Sequence, residues 1–245
     1  MAQTPNLRAL ARDVEALAAR MNPTPAPMMD LAADLFSPQL AFAEDESPFV
    51  TALCSRRAGK STAAARRLLK VAIAKPRAPL LYFTLTRGNA KRIMWQALLE
   101  TNRRYNLGFE PVESDLLLKR DGIARIYLTG CDNQTEIGKM RGSGWGDVFG
   151  DEAQEFPNYI EPLCENVLMP ALMDFHGSLR LAGTPGPVPV GYFHDVAHSP
   201  NWSHHAWTAF ENPYVNAQAQ LERTLKVRGI LESHPSIQRE FYGRW

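Results

Sequence analysis

The stretch Cys54-Ser55-Arg56-Arg57-Ala58-Gly59-Lys60-Ser61-Thr62 sets a glycine, a lysine and a hydroxyl in succession, between an apolar run and a helix-forming one. Those types in that order suit a phosphate cradle. Backbone N–H groups of a tight loop wrap a β-phosphate, a lysine reaches the β- and γ-phosphates, and the hydroxyl after it ligates Mg²⁺. Gly59, Lys60 and Ser61 fill the last three positions of G-x-x-x-x-G-K-[ST], and Ser55, Arg56, Arg57, Ala58 and Thr62 complete the candidate loop. The general pattern opens on glycine where this chain has Cys54, so the loop is a variant.

Two carboxylates complement it. Asp151-Glu152-Ala153-Gln154 follows the apolar Gly146-Asp147-Val148-Phe149-Gly150. An acid at such a strand end can hold Mg²⁺, a role that falls to Asp151, while Glu152 can orient the water that attacks a γ-phosphate. Acidic residues in the first turn of a helix are favoured by its dipole and give the same short pattern; the pairing with Gly59-Lys60-Ser61 is what favours chemistry. Thr184, after Ser178-Leu179-Arg180-Leu181-Ala182-Gly183, puts a hydroxyl at another strand end, although Gly-Thr-Pro-Gly is also good turn chemistry. Gln39, twenty residues before Gly59, carries an amide able to donate to N7 and accept from N6 of adenine. Two arginines could supply positive charge to a phosphoryl-transfer transition state: Arg56 inside the loop, acting in cis, and Arg141, ten residues before Asp151 on a Gly-rich segment that could project into a neighbour's site. A solvated loop charge is the alternative for Arg141.

Elements to position these residues are legible from pattern. The spacing predicts a strand over 48–53, a helix over 61–74, a strand over 79–85 and a helix over 89–102. A β-hairpin is expected with Asp121-Gly122 in a tight type I′ turn between 116–118 and 123–128. Strands alternating with helices, with polar residues just beyond strand ends, imply an α/β fold with a mainly parallel sheet and its site at the carboxyl edge. At the amino end, Leu7, Leu10, Val14, Leu17 and Ala18 form one stripe of an amphipathic helix, followed by the Pro-rich break Pro23-Thr24-Pro25-Ala26-Pro27. The expected organisation is an arm and linker over 1–30 and one phosphate-binding domain over 31–245.

Composition narrows the class. The 245 residues are 45% hydrophobic and 22% charged, ordinary for a globular chain, and no apolar run approaches the roughly 18 residues of a membrane span. The amino terminus lacks the layout of a secretory signal, so cytoplasmic residence is the expectation. Cys54, Cys131 and Cys164 have no C-x-x-C spacing and read as reduced thiols. A formal net charge of +1 argues against coating nucleic acid by bulk charge, so any DNA contact must be local. Lys91, Arg92 and Arg120 are weak candidates for it.

Phe36-Ser37-Pro38-Gln39, Ser55-Arg56-Arg57-Ala58-Gly59-Lys60-Ser61, Arg141-Gly142, Asp151-Glu152-Ala153 and Gly183-Thr184, in that order, resemble the ATPase domain of tailed-bacteriophage large terminases, the motors that package viral DNA. That family commonly lacks the initial glycine and carries an arginine inside the loop. The resemblance covers about residues 35 to 245. It implies an additional-strand P-loop NTPase fold of RecA and helicase type, to which the helical arm read from the spacing over 1–30 is added. It also implies ATP hydrolysis with Mg²⁺ and translocation of double-stranded DNA into a procapsid in the host cytoplasm, with no membrane. Portal protein, a small terminase subunit and a homo-oligomeric ring, a pentamer in the family, are the partners implied. By the same resemblance Gln39 reads adenine, Thr184 couples phosphate loss to motion and Arg141 acts in trans. Pro235 to Trp245 resembles the segment that closes the ATPase domain before a nuclease begins, so ATP hydrolysis without DNA cleavage is the expectation. A helicase-like translocase without a viral role, a non-catalytic nucleotide-dependent scaffold and a small-molecule kinase are the rival readings; the kinase leaves Gln39 and Thr184 unexplained.

Overall fold

The computed structural model describes residues 30–121, 123–132, 137–138, 140–156 and 159–245. Contacts divide the chain into Met1–Ala33 and Asp34–Trp245. Of the first unit only a turn is described, closed by the Ala33 amide on the Asp30 carbonyl at 3.1 Å. The amphipathic helix expected near the amino terminus lies outside the described residues.

The second unit is built on an eight-stranded sheet in the order β3-β4-β5-β2-β6-β7-β1-β8. Its strands are β1 Phe49–Cys54, β2 Leu80–Thr84, β3 Glu110–Val112, β4 Leu117–Arg120, β5 Ala124–Gly130, β6 Asp147–Gly150, β7 Leu179–Gly183 and β8 Ser203–Trp207. From β5 to β8 every neighbouring pair is parallel, and β3 and β4 add an antiparallel edge. The central strands are short apolar runs buried on both faces, as a covered parallel sheet requires. Strand β7 lies between β1 and β6, the additional-strand arrangement. The loop after β1, the acids after β6 and Thr184 after β7 therefore meet at one carboxyl edge, where open α/β sheets bind ligands.

Alternation along the strands assigns the faces. Leu81, Phe83, Val148, Leu179 and Leu181 join one apolar cluster with Ile160, Leu163, Val167 and Leu168 of α4, the helical segment 160–171, and with Phe193 and Val196 of α5 (Tyr192–Val196). On the other face Tyr82 stacks on Phe149, which meets Phe42 of α1 (Ser37–Glu44) edge-on. Packed on that side are α2 (Lys60–Ala74), rich in alanine and leucine, and α3, residues 87–104, which starts on the Thr86 cap and passes through a π-helical turn, Lys91–Trp95. Two further helices, α6 (Ala217–Arg228) and α7 (Pro235–Tyr242), follow β8.

The expected tight turn is present with one added residue. Ile123 N–H closes on the Arg120 carbonyl at 3.1 Å across Asp121, whose left-handed φ of 53° suits the first central position of a type I′ turn and is tolerated by Asp. Arg120 pairs with Ala124, so Ile123 is the extra residue before the ladder resumes.

At the amino edge, away from the site, a buried ionic cluster fixes α1. Arg67 of α2 donates to Asp147 at 2.7 Å, to Glu46 at 2.7 Å and to the Ala43 carbonyl at 3.2 Å. Arg180 of β7 lies 3.6 Å from the other Asp147 oxygen and donates to the carbonyls of Phe42 and Asp45. The carbonyls that end α1 are thus bound by two buried arginines, which sets where the helix can present Gln39.

Candidate functional site

The loop between β1 and α2 is held open by its carbonyls. Asn212 Nδ2 donates to Arg57 O at 2.9 Å, Trp207 Nε1 to Ala58 O at 2.6 Å and Gln39 Nε2 to Gly59 O at 2.8 Å. Three consecutive carbonyls drawn outward turn the intervening peptides, and the amides of Arg57, Ala58 and Gly59 donate to nothing among the described residues. Arg57 and Gly59 are both left-handed, at φ 60° and 85°. Gly59 is required twice over, since a Cβ there would also lie 2.3 Å from Gln39 Nε2. The helical ladder begins with Ala63 N–H on Gly59 O, so the first amides of α2 join the loop amides in an anion-binding mouth. This donor set fits a triphosphate.

Lys60 is 7% exposed, its Nζ 3.3 Å from both the Ser55 carbonyl and Thr184 Oγ1. From Thr184 a chain of bonds runs to the acids. The Thr184 amide donates to Gln154 Oε1 at 3.1 Å, and Gln154 Nε2 donates to Glu152 Oε2 at 2.7 Å. Gly183 makes room for this, because a Cβ there would come within 2.2 Å of Gln154 Oε1. Glu152 sits at φ 53°, a left-handed conformation uncommon for a side-chain-bearing residue and found at functional sites. Asp151 is 1% exposed and accepts from Tyr82 Oη and from the Glu152 amide, each at 2.9 Å. Burial first, then the Glu152 charge, push the Asp151 carboxyl up to about 6, against the pull of Lys60 and those two hydrogen bonds. Asp151 and the Ser61 hydroxyl are hard oxygen donors at this edge and fit Mg²⁺.

Gln39 is 2% exposed, and its Nε2 is anchored on the loop itself; its Oε1 has no partner. The orientation of the amide is fixed, since reversing it would set oxygen against the Gly59 carbonyl. The loop takes one Nε2 hydrogen; the second Nε2 hydrogen and the oxygen remain for the donor and acceptor pair expected from sequence. Beside it opens a cavity of about 370 Å³, lined by Gln39, Gly59, Thr62, Arg66, Asn212 and Tyr214 among others.

Of the arginines, Arg56 is tethered to α7. Its amide donates to the Glu240 carbonyl at 3.0 Å and its guanidinium pairs with the Glu240 carboxylate. Arg141 is exposed, on the approach to the amino end of β6, whereas Asp151 and Glu152 follow its carboxyl end. Among the described residues its side chain makes no hydrogen bond or ion pair with the loop or the acids. Of the charges considered for DNA, Lys91 pairs with Glu113 at 2.7 Å and Arg120 with Asp121 at 3.2 Å, while Arg92 donates to the neutral amide of Asn89 at 2.9 Å and keeps its charge.

Four residues that the sequence did not single out shape the site: Trp207, Asn212, Gln154 and Glu240. Trp207 and Asn212 lie some 150 residues from the loop they brace, with no motif to mark them. Gln154 carried a signal, standing two residues beyond Glu152.

Residues 51–164 match the family model described as terminase large subunit, T4likevirus-type, N-terminal. The fold matches the large terminase of a thermophilic bacteriophage with a TM-score of 0.69 at 18% identity, over 85% of this chain and 53% of that one. The ATPase domain of the Thermus phage P74-26 large terminase matches at 0.64 and 18%, over 87% and 95%. The HK97 bacteriophage large terminase matches at 0.65 and 14%, over 84% and 50%. This chain thus spans about half the length of the first and the last of these three proteins. No curated protein sequence matches it. The resemblance read from the motifs holds, and the fold is that of phage large-terminase ATPase domains.

Proposed function

We propose that this chain, which shares the fold of phage large-terminase ATPase domains, hydrolyses ATP as the motor that drives double-stranded viral DNA into a procapsid. The observation that carries the reading is the continuous hydrogen-bonded path from the loop lysine through Thr184 and Gln154 to Glu152. A bound γ-phosphate would draw Lys60 from Thr184, and a water placed between that phosphate and Glu152 would meet a carboxylate already oriented by Gln154. The large terminase of the thermophilic bacteriophage, of the same fold, has been solved with ADP and with ATP-gamma-S, which supports a nucleotide as ligand.

The triphosphate sits on the amides of Arg57 to Ser61, with Lys60 on its β- and γ-oxygens. Mg²⁺, held by Ser61 and Asp151, would neutralise charge on those oxygens. Glu152 directs water at the γ-phosphorus and takes its proton, and Thr184 reports the phosphate's departure to β7. Arg56 can contribute in cis only by leaving Glu240. Arg141, exposed ahead of β6 while its own acids follow that strand, completes the site of an adjacent subunit in a ring. DNA is gripped through its phosphates, as a motor indifferent to sequence requires. Portal protein and a small terminase subunit are the partners, in the host cytoplasm.

Glu152→Gln keeps the shape and the Gln154 contact but removes the base. Turnover should fall by about a hundredfold or more with nucleotide affinity nearly unchanged, measured by phosphate release and equilibrium nucleotide titration. A variant that still turned over near the wild-type rate would remove Glu152 from the mechanism.

A further inference from the structure

The cavity beside the loop holds buried polar groups that the fold leaves without partners. Arg66, on α2, is 5% exposed, yet its Nε and Nη1 make no hydrogen bond. That is three N–H groups of a fixed cation left unpaired, an arrangement that costs free energy unless something else accepts from them. Rotation cannot relieve it. Nη2 is bonded to Asp34 Oδ2 at 2.9 Å and the guanidinium lies 4.6 Å over the Tyr105 ring. Asp34 is itself fixed by Tyr105 Oη at 2.9 Å and Arg104 at 2.8 Å, and its carbonyl accepts from Tyr214 Oη at 2.9 Å. The same cavity is lined by Gln39, whose Oε1 is the unpaired acceptor.

We propose that Arg66 supplies the donor half of base recognition, donating to N7 of adenine while Gln39 Oε1 accepts from the N6 amino group. This rests on the reading that the loop binds ATP. The sixth residue after Lys60 lies about 9 Å along the helix from it, beyond the phosphates and on the side where the cavity opens. The cavity is large enough for a nucleoside. The pattern is selective: adenine shows an acceptor at N7 beside a donor at N6, matching one donor and one acceptor. Guanine shows two acceptors there and would set O6 against Gln39 Oε1. Gly59 holds one of the two Nε2 hydrogens of Gln39, so Arg66, with three unpaired N–H groups, is the larger source of donors at this cavity, and the second Nε2 hydrogen is its rival for N7.

Equilibrium titration of the full chain with ATP and with 7-deaza-ATP, which differs only in lacking the N7 acceptor, tests this without altering the protein. Wild type should bind the analogue at least about tenfold more weakly than ATP. Arg66→Met should bind both alike, at the affinity wild type shows for the analogue. Equal affinity of wild type for ATP and 7-deaza-ATP overturns the assignment, as does discrimination that persists in a folded Arg66→Met; a variant that weakens ATP while wild type ignores N7 would show stacking instead. Failure to bind any nucleoside triphosphate would overturn the ATPase reading itself, whereas indifference to N7 overturns only the role of Arg66.

Discussion

Cys54 shows how a side chain at the wrong place in a pattern becomes harmless. The first glycine of a phosphate loop matters where the backbone must turn into left-handed space. Here β1 runs straight through Cys54, paired with Trp207, and the left-handed positions fall later, at Arg57 and Gly59. The thiol is fully buried, and burial pushes it up to about 12, so it stays neutral and packs as a small apolar group. Asp151 presents the opposite case, a charge kept in a place that resists it. Its folded-state value is raised, so ionisation at neutral pH works against the fold: the stabilising contribution is full below the ordinary 3.8 and is lost as pH rises through about 6. A divalent cation would offset that cost, and proton and cation compete for one carboxylate. ATP hydrolysis at limiting Mg²⁺ should therefore decline as pH falls through about 6, and raising Mg²⁺ should move the midpoint lower. A midpoint that ignores Mg²⁺ in steady-state phosphate-release assays would take Asp151 out of the metal site.

At the scale of elements, the site depends on α1, and α1 depends on charges buried at the far edge of the sheet. Asp147 is fully buried between Arg67 and Arg180, which in turn bind the carbonyls closing α1. Removing the shared carboxylate leaves Arg180 without its carboxylate partner and Arg67 with only the exposed Glu46. Asp147→Ala should destabilise the fold by about 3–5 kcal/mol in chemical denaturation, and in the folded fraction nucleotide affinity should fall as Gln39 loses its footing. Unchanged stability would mean that Glu46 and the carbonyls suffice for both arginines. None of this could be read from the sequence, in which Asp147 is one residue of an apolar run and Arg67 one of thirteen cations between 56 and 104. What was legible obeys local rules. Alternation and apolar runs marked β1, β2, β6 and β7, and the order glycine, lysine, serine marked the cradle. Strand β8 escaped because three of the five residues of Ser203-His204-His205-Ala206-Trp207 are polar and only Trp207 is buried, so no apolar run marks it and it owes its place to pairing with β1. The left-handed turn at Asp121 followed local chemistry, whereas the extra residue after it, Ile123, follows from strand register, set by burial of Leu118 and Ile126.

For the molecule as a whole, the position of Arg141 bears on assembly. Each chain holds the cradle, the acids and the relay at one edge of its sheet, while Arg141 stands exposed ahead of β6, engaging none of them among the described residues. An arginine so placed can serve a phosphoryl-transfer site across a head-to-tail contact, in which one surface meets a different surface of the next copy, and such contacts form a ring when the rotation between copies closes. Activity would then require two chains per site, each supplying a different part. Arg141→Ala and Glu152→Gln should each be nearly inactive alone, the first for want of a donor to its neighbour and the second for want of a base. Mixed in equal amounts, an Arg141→Ala chain can offer an intact Glu152 to the intact Arg141 of a Glu152→Gln chain. Random association makes up to about a quarter of the interfaces complete, and phosphate release should rise toward that fraction of the wild-type rate as total protein increases. Chains acting alone would show only the sum of two dead variants at every concentration, and that result would return Arg141 to the role of a solvated loop charge.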